Sequence, residues 1–273
     1  MHKCLKYAAN VVEFSEAMRQ FAFALFPKQF KISFFMANLV NVKWLCQAGF
    51  IFDTDAKRIV ADPYMSDSCA PRFPRMVPVP VKFENLKPDY VFFSHDHRDH
   101  FDEDSVAPIY RLYPDALFSG PVSTADHFKK MGCDSLKFQT LACGNSYSFD
   151  GFTLTPAIAY HSDPRAIGMI FKFGNKTVYL SGDTEYRPTL ARDVMAAAGC
   201  KIDAVIICIN GKLGNMNRDD AVKVVKEIKP DVAVPMHWGL FAGNTEDPKP
   251  FKAELEEFGV RCIIPEPAAA FKI

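Results

Sequence analysis

From Val42 onward the apolar residues fall in short blocks, each closed by a polar or turn-forming cluster. VKWLCQAGFIFDT (42–54) and RIVADPY (58–64) read as two neighbouring antiparallel strands that turn near Asp53–Lys57, with Asp62 and Pro63 ending the second. Residues 64–88 hold five prolines and no periodicity. A loop of that length is uncommon unless it covers a site. DYVFFS (89–94) then reads as a central strand, and Asp102 or Glu103 starts a helix that ends before Pro114. Ser123 and Asp126 predict a capping box for a short helix ending at Gly132, with His127 on it as a surface or packing residue.

Residues 136–182 predict a run of strands, LKFQT, NSYSFD, FTLTPAIAY, IGMIFKFG and KTVYLSG, turning at Gly151 and Gly174–Asn175. The rhythm then becomes α/β. A helix over 188–198 is closed by Gly199, and DAVIICI forms a buried strand. Asn217 and Asp220 cap a helix that buries Ala221, Val225 and Ile228 and stops at Pro230. DVAVPM is a second buried strand, ending at His237. Asp247–Pro248 opens a last helix with Phe251, Leu255 and Phe258 on one face, and 262–264 and 271–273 add edge strands. No internal repeat is crisp enough to use. Residues 1–38 are a Phe-rich N-terminal arm. Val12–Leu25 predicts an amphipathic helix there, and the arm is expected to pack on the main domain or on a neighbouring subunit.

Charge narrows the partners. With 32 basic and 32 acidic residues among 273, nothing global points to nucleic acid or an anionic membrane. Eight cysteines are scattered without a CxxC pair, and no secretory leader or membrane-length apolar run is visible. The expectation is a cytoplasmic protein with reduced thiols.

The chemistry is concentrated at strand ends. VFFSHDHRDHFDED (91–104) packs His95, His97, Asp99 and His100 into six positions. Imidazole and carboxylate at this density suit zinc, manganese or iron, and the lack of nearby thiolates argues against iron–sulfur or a Cys-rich zinc site. Three more candidates follow strands: His161 after FTLTPAIAY, Asp183 after VYLSG and His237 after VAVPM. Five of the seven histidines therefore stand at such positions. The set is enough for two divalent ions. His95, His97 and His161 would hold one, Asp99, His100 and His237 the other, and Asp183 would bridge them. Two ions about 3.5–4 Å apart can hold a hydroxide and polarise a carbonyl or phosphoryl oxygen.

SHDHRDH (94–100) resembles the HxHxDH signature of the metallo-β-lactamase superfamily, and His161, Asp183 in LSGDT and His237 follow in that superfamily's order. Asp62 in VADPY matches its buried aspartate near the start of the fold. The resemblance spans roughly 40–270 and implies an α/β fold, a four-layer αββα sandwich of two mixed β-sheets. It makes 39–273 a hydrolase domain, with the site along one edge between the sheets. Within the superfamily the chain is similar to the L-ascorbate-6-phosphate lactonase-like branch, through WLCQAGF (44–50), INGKLGNMN (209–217) and PMHWGLFAGNTEDPKPF (235–251). It departs from that enzyme at His161, which favours a fully loaded binuclear site. Zinc β-lactamases, which often carry cysteine at the place of Asp183, and the RNA-processing branches, with their basic arm or added domain, fit less well.

The reading that follows is a metal-dependent hydrolase acting on a small lactone or ester, a phosphorylated sugar lactone among them, through a metal-bridging hydroxide. Asp99 and His237 are the candidates for proton transfer. Arg165, Arg187 and Lys212 are the candidate anchors for a substrate phosphate or carboxylate. Ser162, Asp163 and Thr184 stand within reach of a bound substrate, Trp238 and Phe241 wall the pocket or pack, and Asn210, Gly211, Gly214 and Asn217 shape a turn beneath it. A phosphodiesterase on the same site is the alternative. A metal-dependent sensor would need a blocked pocket, and the same ligands also suit oxidation chemistry at iron. Related lactonases suggest a homo-oligomer.

Overall fold

Successive residues of one strand point into different cores in the computed structural model, which describes residues 40–273. The N-terminal arm and its expected helix lie outside the described residues. Fourteen strands and five α-helices follow in order: β1 (Asn41–Trp44), β2 (Phe50–Asp53), β3 (Arg58–Ala61), β4 (Tyr90–Phe92), α1 (Glu103–Leu112), β5 (Leu117–Gly120), α2 (Val122–Lys130), β6 (Phe138–Thr140), β7 (Tyr147–Phe149), β8 (Phe152–Ile158), β9 (Ile167–Phe173), β10 (Lys176–Leu180), α3 (Leu190–Ala198), β11 (Ala204–Cys208), α4 (Arg218–Ile228), β12 (Val232–Met236), α5 (Pro248–Glu257), β13 (Arg261–Cys262) and β14 (Ala270–Lys272).

They form two seven-stranded mixed sheets, ordered β14-β1-β2-β3-β4-β5-β6 and β13-β12-β11-β10-β9-β8-β7. In β2, Phe50 and Phe52 enter the core between the sheets while Ile51 enters the core beneath α1 and α2. β4 divides in the same way, Tyr90 and Phe92 inward, Val91 outward. Burial on both faces is why these strands read as apolar runs instead of alternating ones. Across the central core Phe171 of β9 meets Phe52 at 5.4 Å and Phe92 at 5.5 Å between ring centroids. Helices α3 to α5 cover the second sheet through Leu190, Val194, Val225, Phe251 and Leu255, all buried. The layers are thus helix, sheet, sheet, helix.

Several local expectations hold. Asp102 caps α1, Asn217 caps α4 by accepting from the Asp220 amide, and Gly199 ends α3 with φ +61°. Three need correction. VKWLCQAGFIFDT is two strands, β1 and β2, because Cys46 and Gln47 take left-handed backbone (φ 73° and 51°) and reverse the chain. Ser123 does not cap α2, which starts after Pro121; its hydroxyl donates to Asp163 instead. Phe258 lies beyond α5 and is 45% exposed, so the buried face ends at Leu255. No helix among the described residues is long and apolar enough to cross a membrane, and none of their cysteines is in a disulfide.

Candidate metal centre

The side chains of His95, His97, Asp99, His100, His161, Asp183 and His237 converge where strands of both sheets end. β4 delivers the first four. Beyond it Ser94 turns the chain, and its amide and hydroxyl both donate to Asp62 (2.8 and 2.6 Å). Asp62 is fully buried at the end of β3, and its Oδ2 also lies 2.9 Å from His100 Nδ1. That bond fixes the proton of His100 on Nδ1 and turns Nε2 toward the centre.

Asp183 enters from the end of β10. The preceding Gly182 has φ +58°, and a Cβ there would lie 2.8 Å from Ser94 Cβ, so only glycine lets the two sheet ends approach this closely. His161 is set by Gly214, whose carbonyl accepts from His161 Nδ1 at 3.0 Å, leaving Nε2 inward. The loop carrying Gly214 is held by Asn210, which donates to Asn244 and accepts from Asn215. His237 closes β12 in left-handed backbone (φ 62°), and its amide donates to the Gln47 carbonyl.

The spacings are those of ligands about a cation. His97 Nδ1 lies 2.9 Å from His95 Nε2 and 3.0 Å from His161 Nε2. Asp183 Oδ1 is 3.2 Å from His100 Nε2, and its Oδ2 is 3.2 Å from His237 Nε2 and 3.8 Å from His161 Nε2. His237 Nε2 is 3.3 Å from Asp99 Oδ2. Atoms bound to one ion at about 2.1 Å lie roughly 3 Å from one another. Three overlapping sets bring one donor atom of each residue within 4.8 Å of the others: His95–His97–His161, His95–His100–Asp183 and Asp99–His100–His237. His100 Nε2 and Asp183 Oδ1 are buried with no hydrogen-bond partner, which a native fold rarely tolerates without an ion or water. The donor set therefore fits divalent metal.

Electrostatics separate the two ends. Burial pushes His95 well below the ordinary imidazole value, reinforced by the charge of His100, and His97 is lowered by burial and by His161. Burial would also lower His100 and His237, but the carboxylates win. Asp183, Asp62 and Asp99 raise His100 well above the usual range, and Asp183 and Asp99 raise His237 to about 9. Burial alone would raise Asp99 and Asp183; the His100 and His237 charges hold both below the ordinary carboxylate range.

The anchors expected for substrate are not gathered together. Arg187 lines an open depression of about 480 Å³ with Tyr160, His161, Ser162, Glu185 and Leu213, stacks over the Tyr160 ring and donates to Glu185. Arg165 lines a different depression with Leu141, Cys143 and Ile158, and Lys212 Nζ donates to the Gly243 carbonyl. Asp163 is committed to Ser123 and to the amides of Asp96 and Arg165, and Thr184 to backbone. Trp238 stacks on Trp44 at 4.9 Å and Phe241 is buried.

Two features were not expected from the sequence. Gln47, fully buried, reaches Asp99 and His237 with its carboxamide. His127, read as a plain surface residue, bridges Asp96 at 2.5 Å and Glu103 at 2.6 Å. The interruption of apolar alternation at Cys46–Gln47 was the available signal for the first, while the partners of His127 lie too far away in sequence to leave one.

Comparison with known proteins agrees with this architecture. Residues 57–238 match the model of the Beta-lactamase superfamily domain, and the chain belongs to that superfamily. It is 26% identical to a UPF0173 metal-dependent hydrolase of Methanopyrus kandleri, over 85% of this chain and 100% of that one. Among solved structures it is similar in fold to Igni18, a metallo hydrolase from Ignicoccus hospitalis (TM-score 0.73, 22% identity, 86% of this chain and 99% of that one). It is likewise similar to an isothiocyanate hydrolase from Delia radicum gut bacteria (TM-score 0.70, 20% identity, 85% and 100%).

Proposed function

We propose that the protein is a metal-dependent hydrolase of a small lactone or ester, phosphorylated sugar lactones included. His95, His97 and His161 would hold one ion, Asp99, His100 and His237 a second, and Asp183 would reach both. The observation that carries this reading is the pair of buried, unpartnered atoms, His100 Nε2 and Asp183 Oδ1, at the centre of the convergent donors. Zinc or manganese suits imidazole and carboxylate equally, as does iron. When bound, such ions supply an ionised water at neutral pH and Lewis-acid polarisation of a carbonyl oxygen.

The chain's own groups supply position and proton transfer. Asp99 is the most accessible of the carboxylates here, its side chain 18% exposed, and its Oδ2 is proposed to accept the nucleophile's proton. His237, whose Nε2 lies 3.3 Å from that oxygen, would donate toward the leaving oxygen only when that nitrogen is not given to the ion. The depression beside His161 is of small-molecule size. Arg187 on its wall is the proposed anchor for a substrate carboxylate or phosphate.

Elemental analysis of protein purified without added metal, paired with a substrate panel, tests the proposal. The panel holds sugar lactones with and without phosphate, simple esters, an isothiocyanate and bis-p-nitrophenyl phosphate. About two ions per chain and turnover of a lactone or ester is the expected result. Phosphodiester turnover alone moves the assignment to a phosphodiesterase. Substoichiometric metal with no activity on adding zinc or manganese overturns it.

A further inference from the structure

The His95–His97–His161 set draws its members from two separate loops. His95 and His97 follow β4, and His161 lies in the connection from β8 to β9. Their spacing is therefore as well defined as the contact between those loops. The connection is fastened near both ends: the Tyr160 amide donates to Thr184 Oγ1 at 2.9 Å, and the Ile167 amide to the Ser94 carbonyl at 3.0 Å. Between these ties, Asp163 reaches across to the main chain of the histidine loop.

We infer that Asp163 is a positioning residue for the His95–His97–His161 set, a carboxylate that clamps the loop of the third ligand to the peptide between the first two. The inference rests on the metal reading above and extends it to a residue that touches no ion.

Each carboxylate oxygen has its own task. Asp163 stands two residues after His161, and its Oδ2 accepts from the amide of Asp96 at 3.1 Å. Asp96 is the residue between His95 and His97. The same oxygen accepts from the Ser123 hydroxyl at 2.8 Å, which anchors it to the start of α2. Oδ1 accepts from the Arg165 amide at 2.8 Å and so shapes the carboxylate's own loop. Bonds to an ionised acceptor are roughly twice as strong as neutral ones, which suits a link between two loops.

Two neighbouring contacts act in the same sense. Ser162 Oγ lies 3.3 Å from His97 Nε2. His97 Nδ1 faces His95 and His161, so with that nitrogen given to an ion Nε2 carries the proton and the hydroxyl accepts it. On the far side, His127 Nδ1 meets the Asp96 carboxylate at 2.5 Å. The residue between two ligands is thus held at its amide by Asp163 and at its side chain by α2. Gly214 orients the His161 ring, whereas Asp163 sets how far that ring stands from His97.

The test is a cobalt(II) titration of metal-stripped protein, followed by calorimetry and by the visible cobalt spectrum. Wild type is compared with Asp163→Ala, Ser123→Ala and His161→Ala. Wild type should bind two ions, and the step that His161→Ala weakens most marks the set concerned. Asp163→Ala should weaken that same step at least about tenfold, spare the other and shift the spectrum of the weakened step. Ser123→Ala removes the bond to α2 alone and should leave both steps near wild type. Equal weakening of both steps by Asp163→Ala, weakening of the other step, or none, overturns the inference. So does a Ser123→Ala variant as weak as Asp163→Ala, which would make the carboxylate an anchor for α2 and not for the ligands. Wild type that takes up no cobalt overturns the metal reading itself, whereas two-ion uptake indifferent to Asp163 overturns only this assignment.

Discussion

Asp62 Oδ2 holds His100 Nδ1 at 2.9 Å with both side chains wholly shielded from water. The same carboxylate takes two bonds from Ser94, so one residue just past β3 sets both the turn after β4 and the direction of an imidazole six residues further on. Asp62→Asn keeps the shape but cannot hold His100 as a charged acceptor. Metal retention in competition with a chelator should fall about 10–100-fold, the usual effect of losing a ligand's orienting partner. Asp62→Ala leaves His100 Nδ1 with only the Ser94 hydroxyl and should lose about 1–3 kcal/mol in urea unfolding of the metal-free protein.

Gly214 presents a second, more local test. Its φ is +88°, and a Cβ would lie 3.1 Å from His161 Nδ1. Gly214→Ala should cost about 1–2 kcal/mol from the left-handed backbone alone. It should also push His161 out of line, lowering kcat/KM by more than the stability loss explains. Activity measured well below the melting temperature separates the two effects.

His127 gives a pH dependence of known sign. Burial lowers its pKa, but the hydrogen bonds it donates to Glu103 and Asp96 outweigh this and raise it above the ordinary 6.5. The Phe101 ring, packed at 4.6 Å, adds no charge. A raised folded value means the stabilisation is fully present below pH 6.5 and is lost as pH rises through the higher folded value. Wild type should therefore exceed His127→Gln in stability at pH 5.5–6, and the gap should close in mildly alkaline buffer. A gap that widens with pH would contradict the pairing.

Removing metal should lower the melting temperature reversibly. An ion present at 100 times its Kd stabilises the folded chain by about 2.7 kcal/mol. Dialysis against a chelator, then readdition of zinc or manganese, should lower and restore Tm in scanning calorimetry. No restoration by either ion would count against the site.

Much of this architecture is legible in the chain because the strands are buried on both faces and end in polar residues of a kind rarely placed together. His95 to His100, His161, Asp183 and His237 stand out for that reason, before any contact is known. Gln47 does not, because a single amide inside an apolar stretch resembles a strand residue until Cys46 and Gln47 are seen to reverse the chain. The His127 clamp is silent for another reason: Asp96 and Glu103 reach it only once α1 and α2 are packed side by side.

The pairing of β14 with β1 has a consequence for how the chain reaches its native state. Asn41 finds its partner in Lys272, so the outer ladder of the first sheet joins residues from opposite ends of the described chain. A newly synthesised chain leaves that edge of β1 bare until the more than two hundred residues between the two strands have been made. Pairings so remote in sequence form slowly, and bare strand edges recruit strands from neighbouring molecules. Deleting Ala270–Ile273 should thus show itself first as clumping during refolding, with losses that grow with protein concentration.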